Sequence, residues 1–474
     1  MAKIIGRIAE KEALKAYSES NTPEFVAVYG RRRVGKTFLI REAFNNRFDF
    51  YVTGLANAGL QTQLRNFNAS LQKYGSIPYP QATTWFDSFE QLRHLLEHST
   101  NKKKKILFLD ELPWMDTRRS DFITALEHFW NGWASSRPDI LLIVCGSATS
   151  WMVNKLIKNY GGLHNRVTRR MLIEPFTLGE CEAYYKDNGI VMSRYQMIEA
   201  YMIFGGIPYY LSLINKGMSL AQNTDMMCFT KNGALTDEFS NLYNSLFKNS
   251  ESYIKIVEAL GKKNKGLTRE EIVSNAKLPN GGGLTSMLEE LEQCGFILKY
   301  NSFGKKQRSC LYQLVDFYTL FHLNFVRGNS SIDEHYWSNM IESGKHRAWS
   351  GYAFEQVCLA HIKQIKHKLG ISGILTSVSS WQSSESKPGA QIDLLIDRND
   401  QVINLCEMKF SNTTFTIDKK YDENLRNKKD IFIRETKTRK AIHITMATTY
   451  GIKQNEYSGG VQSEIKMDDL FYLQ

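Results

Sequence analysis

The fold of the N-terminal part is decided by the stretch Phe25-Val-Ala-Val-Tyr-Gly30-Arg-Arg-Arg-Val-Gly35-Lys36-Thr37. An apolar β-type run leads into the pattern G-x-x-x-x-G-K-T, and the residues that follow can form a helix. This order is typical of a loop whose backbone amides and following helix end surround a phosphate. Lys36 can reach the β- and γ-phosphates, and the Thr37 hydroxyl can hold Mg²⁺. The stretch therefore predicts a site for ATP and Mg²⁺, with Gly30 and Gly35 letting the backbone bend around the phosphates.

A second motif, Lys105-Ile-Leu-Phe-Leu-Asp110-Glu111, is typical of a buried strand that ends in two carboxylates. Asp110 can join the Mg²⁺ shell while Glu111 polarises a water, and nucleotide hydrolysis needs both functions beside the triphosphate. A strand-to-loop turn is the alternative, but the position of the pair downstream of Gly30 favours the catalytic interpretation. The charge run at 102–105 is interpreted as the solvated start of this strand.

Two further residues follow strand-like or loop-like segments. Ser147 comes directly after the run at 140–146 and either senses the γ-phosphate or only forms a strand-end turn. Arg166 lies in a loop that Gly161 and Gly162 open. It either stabilises charge during phosphoryl transfer or is an ordinary surface arginine.

The alternation of strands at 25–29, 106–109 and 140–144 with helical stretches predicts a parallel α/β sheet with helices on both faces, over residues 1–175. Residues 176–250 have helical periodicity and predict a helical lid. Within that lid, Gly205-Gly206-Ile207-Pro208 predicts a rigid, non-helical elbow. Pro208 lies either in a simple loop between helices or against the nucleotide base.

Composition limits the class of protein. At 474 residues the chain is long enough for two to four domains, and 42% hydrophobic with 23% charged residues is ordinary for a soluble globular protein. No apolar run reaches the roughly 18 residues of a membrane span. The seven cysteines contain no C-x-x-C pair, which predicts free thiols in a cytoplasmic protein. The net charge of +11 favours a polyanionic partner, for which DNA is the natural candidate.

Residues 251–330 predict a winged helix-turn-helix, with three helices followed by two strands. The predicted elements are helices at 252–261, 268–273 and 284–294 and strands at 296–300 and 310–314. Between Gln293 and Val315 there is no acidic residue, and the basic residues of that stretch can lie along phosphates. Three glutamates at 289, 290 and 292 would repel DNA from the third helix, so protein contact is the alternative role.

The last part, residues 345–474, carries a different set of side chains. Glu355 lies on an amphipathic helical stretch, Asp393 starts a strand, and Glu407-x-Lys409 lies on one face of another strand. Two carboxylates can share a divalent metal such as Mg²⁺, and a lysine can orient a water or stabilise an oxyanion. Glu-x-Lys alone is equally explained by an exposed salt bridge, but the ordered set predicts phosphodiester cleavage.

Together these motifs resemble bacterial and archaeal AAA+/STAND-type ATPases that carry a C-terminal PD-(D/E)xK nuclease-like domain. The resemblance runs nearly end to end, through Ile5-Gly6-Arg7, the motifs at 30–37, 109–111, 145–147 and 205–208, and Ala390-Gln-Ile-Asp with Cys406-Glu-Met-Lys. It implies that Arg7 lies near the adenine, that Asp110 joins the Mg²⁺ shell and that Glu111 is the catalytic base. It also implies that Arg166 acts in cis or across a subunit contact.

Two functions from different classes are compatible with this reading, and a toxin or phage-defence effector that uses the same chemistry as the first is a third possibility. The first is an ATPase whose nucleotide state controls DNA binding and Mg²⁺-dependent DNA cleavage. The second is a STAND-type regulatory switch, in which the C-terminal domain is an inactive nuclease-like docking surface for a protein partner. The resemblance is also compatible with a homo-oligomer.

Overall fold

The computed structural model describes residues 3–473 except 76–77, 102, 159–164, 264–265, 302, 305–309, 330–332 and 384–388. The chain divides into two compact units, Met1–Glu174 and Pro175–Gln474. Outside the described residues lie three basic residues between the two predicted strands of the winged helix-turn-helix, Lys305, Lys306 and Arg308. The same holds for Gly161 and Gly162, which precede Arg166. The finer division of residues 175–474 into a lid, a winged helix and a C-terminal domain stays a prediction.

The described part of the N-terminal unit is built around a five-stranded sheet of parallel strands in the order β2-β3-β4-β1-β5. Its strands are β1 (Glu24–Tyr29), β2 (Phe50–Thr53), β3 (Lys105–Asp110), β4 (Ile140–Gly146) and β5 (Arg169–Leu172). Its helices are α1 (Ile8–Glu19), α2 (Lys36–Ala43), α3 (Leu60–Tyr74), α4 (Trp85–Glu97), α5 (Phe122–Gly132) and α6 (Thr149–Trp151), and α6 continues as a π-helical segment, Met152–Ile157.

The sheet positions the motifs. The three predicted strands are confirmed as β1, β3 and β4, which are buried along most of their length because their side chains are apolar on both faces. The carboxyl ends of parallel strands lie at the same edge of a sheet. The phosphate loop, residues 30–37, follows β1, Glu111 follows β3 and Ser147 follows β4 at that edge.

The start of β3 differs from the prediction of a solvated charge run. Lys105 is only 5% exposed, and its ammonium lies 2.7 Å from the carboxylate of Asp139. Arg137 also contacts Asp139, with Nη2 at 2.9 Å from Oδ2. The prediction was wrong for Lys105 because the partner carboxylate lies 34 residues away and is not visible in the local sequence.

The C-terminal unit begins with helices only. These are α7 (Leu178–Asp187), α8 (Arg194–Phe204), α9 (Pro208–Leu211), α10 (Leu220–Cys228), α11 (Glu238–Leu246), α12 (Ser250–Gly261), α13 (Arg269–Ala276) and α14 (Gly282–Gln293). The strands β6 (Ile297–Asn301) and β7 (Cys310–Leu314) follow as an antiparallel pair. Thr268 caps α13 in a reciprocal capping box with Glu271, as its sequence indicates.

The remainder is a second α/β arrangement. Its helices are α15 (Phe317–Phe321), α16 (Tyr336–Met340), α17 (Gly344–Ala360), α18 (Ile362–Lys368) and α19 (Lys419–Thr436). Its strands are β8 (Thr376–Gln382), β9 (Gln391–Arg398), β10 (Val402–Lys409), β11 (Ala441–Thr448) and β12 (Ser463–Lys466), in the order β12-β11-β10-β9-β8. The strand β10 pairs antiparallel with β9 and parallel with β11, so it is central in this mixed sheet. In the described part of the chain, no helix combines the length and the apolar character needed to cross a membrane.

The Gly205-Gly206 elbow separates α8 from α9, as predicted. Gly206 lies against the backbone of Phe176, whose N–H donates to the Gly206 carbonyl over 2.6 Å. A Cβ at Gly206 would overlap the Phe176 carbonyl, which also accepts a hydrogen bond from the Tyr201 hydroxyl.

Gly206→Ala is therefore expected to destabilise the C-terminal unit by about 1–3 kcal/mol, because a rigid backbone must move to make room for the methyl group. Thermal unfolding followed by calorimetry measures this effect. Gly344→Ala is the matched control, since a Cβ there meets no atom within 4 Å. An equal melting temperature for both variants would contradict the close approach at Gly206.

Candidate functional site

The phosphate loop is preformed. Gly35 has a φ of 88°, a left-handed conformation that a residue with a side chain rarely adopts, and it precedes α2 directly. The Lys36 ammonium donates hydrogen bonds to the carbonyls of Gly30 and Arg31, both over 2.8 Å. Lys36 is 5% exposed, so this cation sits inside the loop, where it can exchange carbonyl oxygens for phosphate oxygens.

Thr37 and Asp110, predicted to share a Mg²⁺ ion, lie side by side. The Thr37 hydroxyl is 3.1 Å and 3.0 Å from the two carboxylate oxygens of Asp110. Burial, and then the neighbouring Glu111, raise the pKa of Asp110 to about 6, although hydrogen bonds from Thr37 and Cys145 lower it. A buried carboxylate beside a hydroxyl is an oxygen donor set that suits Mg²⁺, and the bound ion would neutralise charge on the phosphates.

Glu111 and Ser147 are also brought together. Glu111 has a φ of 48° at the turn after β3, and its Oε2 accepts a hydrogen bond from the Ser147 hydroxyl over 3.0 Å. Ser147 therefore orients the predicted base, a positioning contact that the sequence pattern did not indicate. Arg166 is exposed, and its predicted role in charge stabilisation stays a prediction.

Arg7 lies beside the phosphate loop. Its guanidinium Nη2 donates to the carbonyl of Val34 over 3.4 Å and to that of Glu174 over 2.5 Å. It thus joins the chain start to the loop and to the end of the N-terminal unit. Pro208 belongs to the C-terminal unit, where it is the first residue of α9, and its predicted contact with the base stays a prediction.

A second candidate site lies in the C-terminal unit. We name Glu355, Asp393, Glu407 and Lys409 the C-terminal carboxylate cluster. Glu355 lies on α17, Asp393 on β9, and the other two on β10. The printed register pairs Cys406 with Leu394, so the next step of the same antiparallel ladder brings Glu407 opposite Asp393.

Glu407 is held by cations. Its Oε2 lies 2.7 Å from the Lys428 ammonium, and its Oε1 lies 3.3 Å from that of Lys409 and accepts from the Tyr421 hydroxyl over 3.1 Å. Burial alone would raise the pKa of Glu407, but Lys428 and Lys409 outweigh it and hold the pKa below its ordinary value. This carboxylate is therefore ionised, and both of its oxygens are paired with ammonium groups.

Glu355 behaves in the opposite way. Burial, followed by the charges of Asp393 and Glu407, raises the pKa of Glu355 to about 8. The charges of Asp393 and Glu407 thus reach Glu355, as expected of carboxylates that could surround a shared cation. Asp393 also accepts a hydrogen bond from the Gln391 amide.

The shift at Glu355 predicts a pH-dependent stability. Between the ordinary pKa of 4.5 and the folded value of about 8, the folded protein binds more protons than the unfolded chain, so stability falls as pH rises through this window. Glu355→Gln imitates the protonated form. Without metal it is expected to raise the melting temperature relative to the parent protein, by an increment that grows from pH 5 and levels off above pH 8.

Thermal melts in EDTA across this pH range measure the increment. Glu334→Gln, at an exposed position, is the control and should give no such trend. An increment for Glu355→Gln that is constant with pH would contradict the coupled ionisation.

The three carboxylates of the C-terminal carboxylate cluster are hard oxygen ligands, which suit Mg²⁺ or Mn²⁺. Within the described ranges, however, no group of three or more His, Cys, Asp or Glu side chains is arranged to hold a metal ion as it stands. Both oxygens of Glu407 are already paired with ammonium groups. Binding a metal there requires side-chain movement, while the residue types fit.

Sequence reasoning missed Tyr421 and Lys428, which reach Glu407 from α19. Their spacing of seven residues puts them on one face of a helix, two turns apart, and this was the available signal. Cys145 was likewise missed as a neighbour of Asp110. The sequence of a buried strand does not indicate which residue of a neighbouring strand will lie beside a given side chain.

Comparison with known proteins agrees with the N-terminal geometry. Residues 5–214 match the family described as an ATPase domain predominantly from Archaea. An uncharacterized protein of Methanocaldococcus jannaschii, MJECL04, is 22% identical over 410 residues, which cover 86% of this chain and 87% of that protein.

Two solved structures are also similar. The Walker-type ATPase PABY2304 of Pyrococcus abyssi matches with a TM-score of 0.51 and 20% identity, over 68% of this chain and 96% of that one. The ORC2 protein of Aeropyrum pernix, solved in ADPNP–ADP complexes, matches with a TM-score of 0.41 and 13% identity, over 68% of this chain and 95% of that one. The first match shows a shared fold. Taken with the family match and the phosphate loop, this first match supports ATPase activity: the N-terminal unit is a P-loop ATPase domain.

Proposed function

We propose that this protein is a Mg²⁺-dependent ATPase of the AAA+/STAND type whose nucleotide state controls DNA binding and metal-dependent DNA cleavage. The observation that carries the DNA-cleaving part is the convergence of Glu355, Asp393 and Glu407, which come from one helix and two strands, with Lys409 beside them. Burial and the charges of the two neighbouring carboxylates raise the pKa of Glu355 to about 8, and raised carboxylate pKa values cluster at functional sites.

In the ATPase unit each residue has a role that follows from its position. Lys36 neutralises the β- and γ-phosphates, while Thr37 and Asp110 hold Mg²⁺. Glu111, oriented by Ser147, accepts a proton from the attacking water. Arg7 fixes the loop near the adenine, and Arg166 stabilises the developing charge, from its own chain or across a homo-oligomeric contact.

In the C-terminal unit the three carboxylates would hold a divalent ion, which when bound would supply Lewis-acid polarisation of the phosphodiester and a lower pKa for a bound water. Lys409 orients the water and stabilises the charge on the phosphate. The water oxygen bonds to phosphorus as one P–O ester bond breaks; the water releases a proton to the solvent, and the leaving oxygen takes up a proton from the solvent.

The helices α12–α14 and the β6–β7 pair support a winged helix-turn-helix. Lys299 at this pair and the basic helix α19, which begins at Lys419, give phosphate-binding charge, in keeping with the net charge of +11. We assign this module to DNA contact and the protein to the cytoplasm.

The direct test is incubation of supercoiled plasmid with purified protein and Mg²⁺ or Mn²⁺, with and without ATP. Metal-dependent nicking or linearisation whose rate changes with ATP is the expected result. Cleavage that is indifferent to ATP would contradict the proposed control, and intact plasmid under every condition would contradict cleavage.

One observation favours a second function. Both oxygens of Glu407 are already neutralised by lysines, as in a carboxylate that has a purely structural role. A regulatory switch in which this unit is an inactive docking surface for a protein partner would have that property. It predicts intact plasmid together with normal ATP hydrolysis.

A further inference from the structure

A cavity of about 660 Å³ opens beside the C-terminal carboxylate cluster. Glu355 and Asp393 line one side of it. Tyr300 of β6 and Gln313 of β7 line another, so the three-helix and hairpin module forms part of the wall. The predicted winged helix-turn-helix module thus lines the same cavity as two residues of the proposed cleavage centre.

The hairpin is fixed in place against the mixed sheet. The N–H of Phe303 donates to the Ser380 carbonyl on β8 over 2.9 Å, and the Phe303 and Phe432 rings lie 5.3 Å apart. Gln313 Nε2 also lies 3.4 Å from the Tyr352 hydroxyl of α17. These contacts fix the walls of the cavity. Its volume of about 660 Å³ lies in the range of pockets that hold a single small ligand.

The lining suits a nucleobase. It combines the aromatic side chains of Tyr300, Tyr352 and Trp381 with the amides of Gln313, Gln356, Gln382 and Gln391. Aromatic faces stack on unpaired bases, and amide groups hydrogen-bond the base edges that pairing normally hides. Arg347 and Lys263, both exposed at the cavity, can neutralise phosphates of the same strand.

Gln356 provides an independent sign of a ligand. Gln356 is only 3% exposed, yet its side-chain oxygen Oε1 has no hydrogen-bond partner among the residues that the structure describes. An unsatisfied buried carbonyl is costly for a folded protein. Gln356 lines the cavity, but its Oε1 is shielded from solvent, so the amide has to turn toward the cavity before a donor such as a base amino group can satisfy it.

We propose that this cavity takes one unpaired nucleotide of a DNA strand, with its base against Tyr300 and Gln356 and its phosphodiester at Glu355 and Asp393. This inference rests on the proposed function and adds the class of substrate. Single-stranded, overhanging or frayed DNA enters the cavity, whereas a fully paired base does not.

The test measures binding rather than cleavage. A fluorescein-labelled 20-nucleotide single strand, and a blunt duplex of the same sequence, are titrated with the full-length protein in Ca²⁺, and anisotropy is recorded. The single strand is expected to bind about tenfold more tightly than the duplex. Gln356→Met should weaken single-strand binding by about tenfold, the effect of losing one good base contact, and leave duplex binding unchanged.

The same variant should keep or raise the melting temperature, because it removes an unsatisfied buried polar atom while conserving volume. Gln364→Met, equally buried but outside the cavity lining, is the matched control and should leave both affinities unchanged. If Gln356→Met does not fold, Tyr300→Leu tests the same cavity from β6, with the same expected loss.

The two proposals fail differently. Equal binding of both DNA forms that is insensitive to Gln356→Met and Tyr300→Leu, with plasmid still cut, would overturn the nucleotide cavity alone. Binding of neither form together with uncut plasmid would overturn the proposed function and the cavity with it.

Discussion

Lys36→Ala is expected to abolish Mg²⁺-ATP binding, seen as loss of the binding heat in titration calorimetry and of phosphate release. The ammonium is the cation that the phosphate loop encloses, and it already lies within hydrogen-bond reach of the Gly30 and Arg31 carbonyls. Charge-assisted bonds from one ammonium to two phosphates are worth several kcal/mol, so the affinity should fall by roughly a hundredfold or more.

Two further variants separate this effect from others. Lys15→Ala removes an exposed lysine from α1 and should leave binding and turnover unchanged. Glu111→Gln should retain ATP binding but slow turnover by roughly a hundredfold or more, because a general base is lost while the phosphate contacts stay. Turnover at the parental rate in a folded Lys36→Ala protein would show that ATP is hydrolysed elsewhere.

Lys409→Ala is expected to remove metal-dependent DNA cleavage, with a loss of roughly a hundredfold to a thousandfold, the usual cost of deleting one group that stabilises transition-state charge. Lys409 is suited to that role because its side chain is 37% exposed and its ammonium lies 3.3 Å from the Oε1 atom of Glu407, one of the proposed metal ligands. The rate of plasmid cutting in Mg²⁺ measures the loss, and ATP hydrolysis measured in the same samples should be unchanged.

Lys453→Ala is the matched control for this result, since Lys453 is exposed in the same unit. Asp393→Asn should reproduce the loss by removing a charged metal ligand while it keeps the size of the side chain. Plasmid cut at the parental rate by both Lys409→Ala and Asp393→Asn would mean that the cutting does not occur at the C-terminal carboxylate cluster.

The N-terminal core could be predicted from the sequence because its signals are local. An apolar run followed by glycines and Lys36-Thr37 specifies strand, loop and helix within 20 residues. The end of β3 likewise specifies Asp110 as a residue at the carboxyl edge of a parallel sheet. Local pattern and tertiary position agree there, so the contact between Thr37 and Asp110 follows from the motifs.

The features that could not be predicted from the sequence depend on contacts between residues far apart in the chain. The pairing of Lys105 with Asp139 buries a lysine that its neighbours describe as solvated. The approach of Lys428 to Glu407 depends on how α19 packs against the mixed sheet, which no local period encodes. The cavity beside Glu355 arises because the hairpin of one module closes over another, and it is absent from either stretch read alone.

The lysine pair at Glu407 has a consequence for when the centre could operate. An incoming divalent ion meets a carboxylate whose counter-charge is already present, so it must compete with Lys428 and Lys409 for the same oxygens. Metal occupancy at Glu407 then depends on competition between the divalent ion and the two lysine ammonium groups. A DNA phosphate that bound either ammonium would weaken its contact with Glu407 and so favour metal binding. If the proposed cleavage takes place there, DNA binding would promote metal binding at the C-terminal carboxylate cluster.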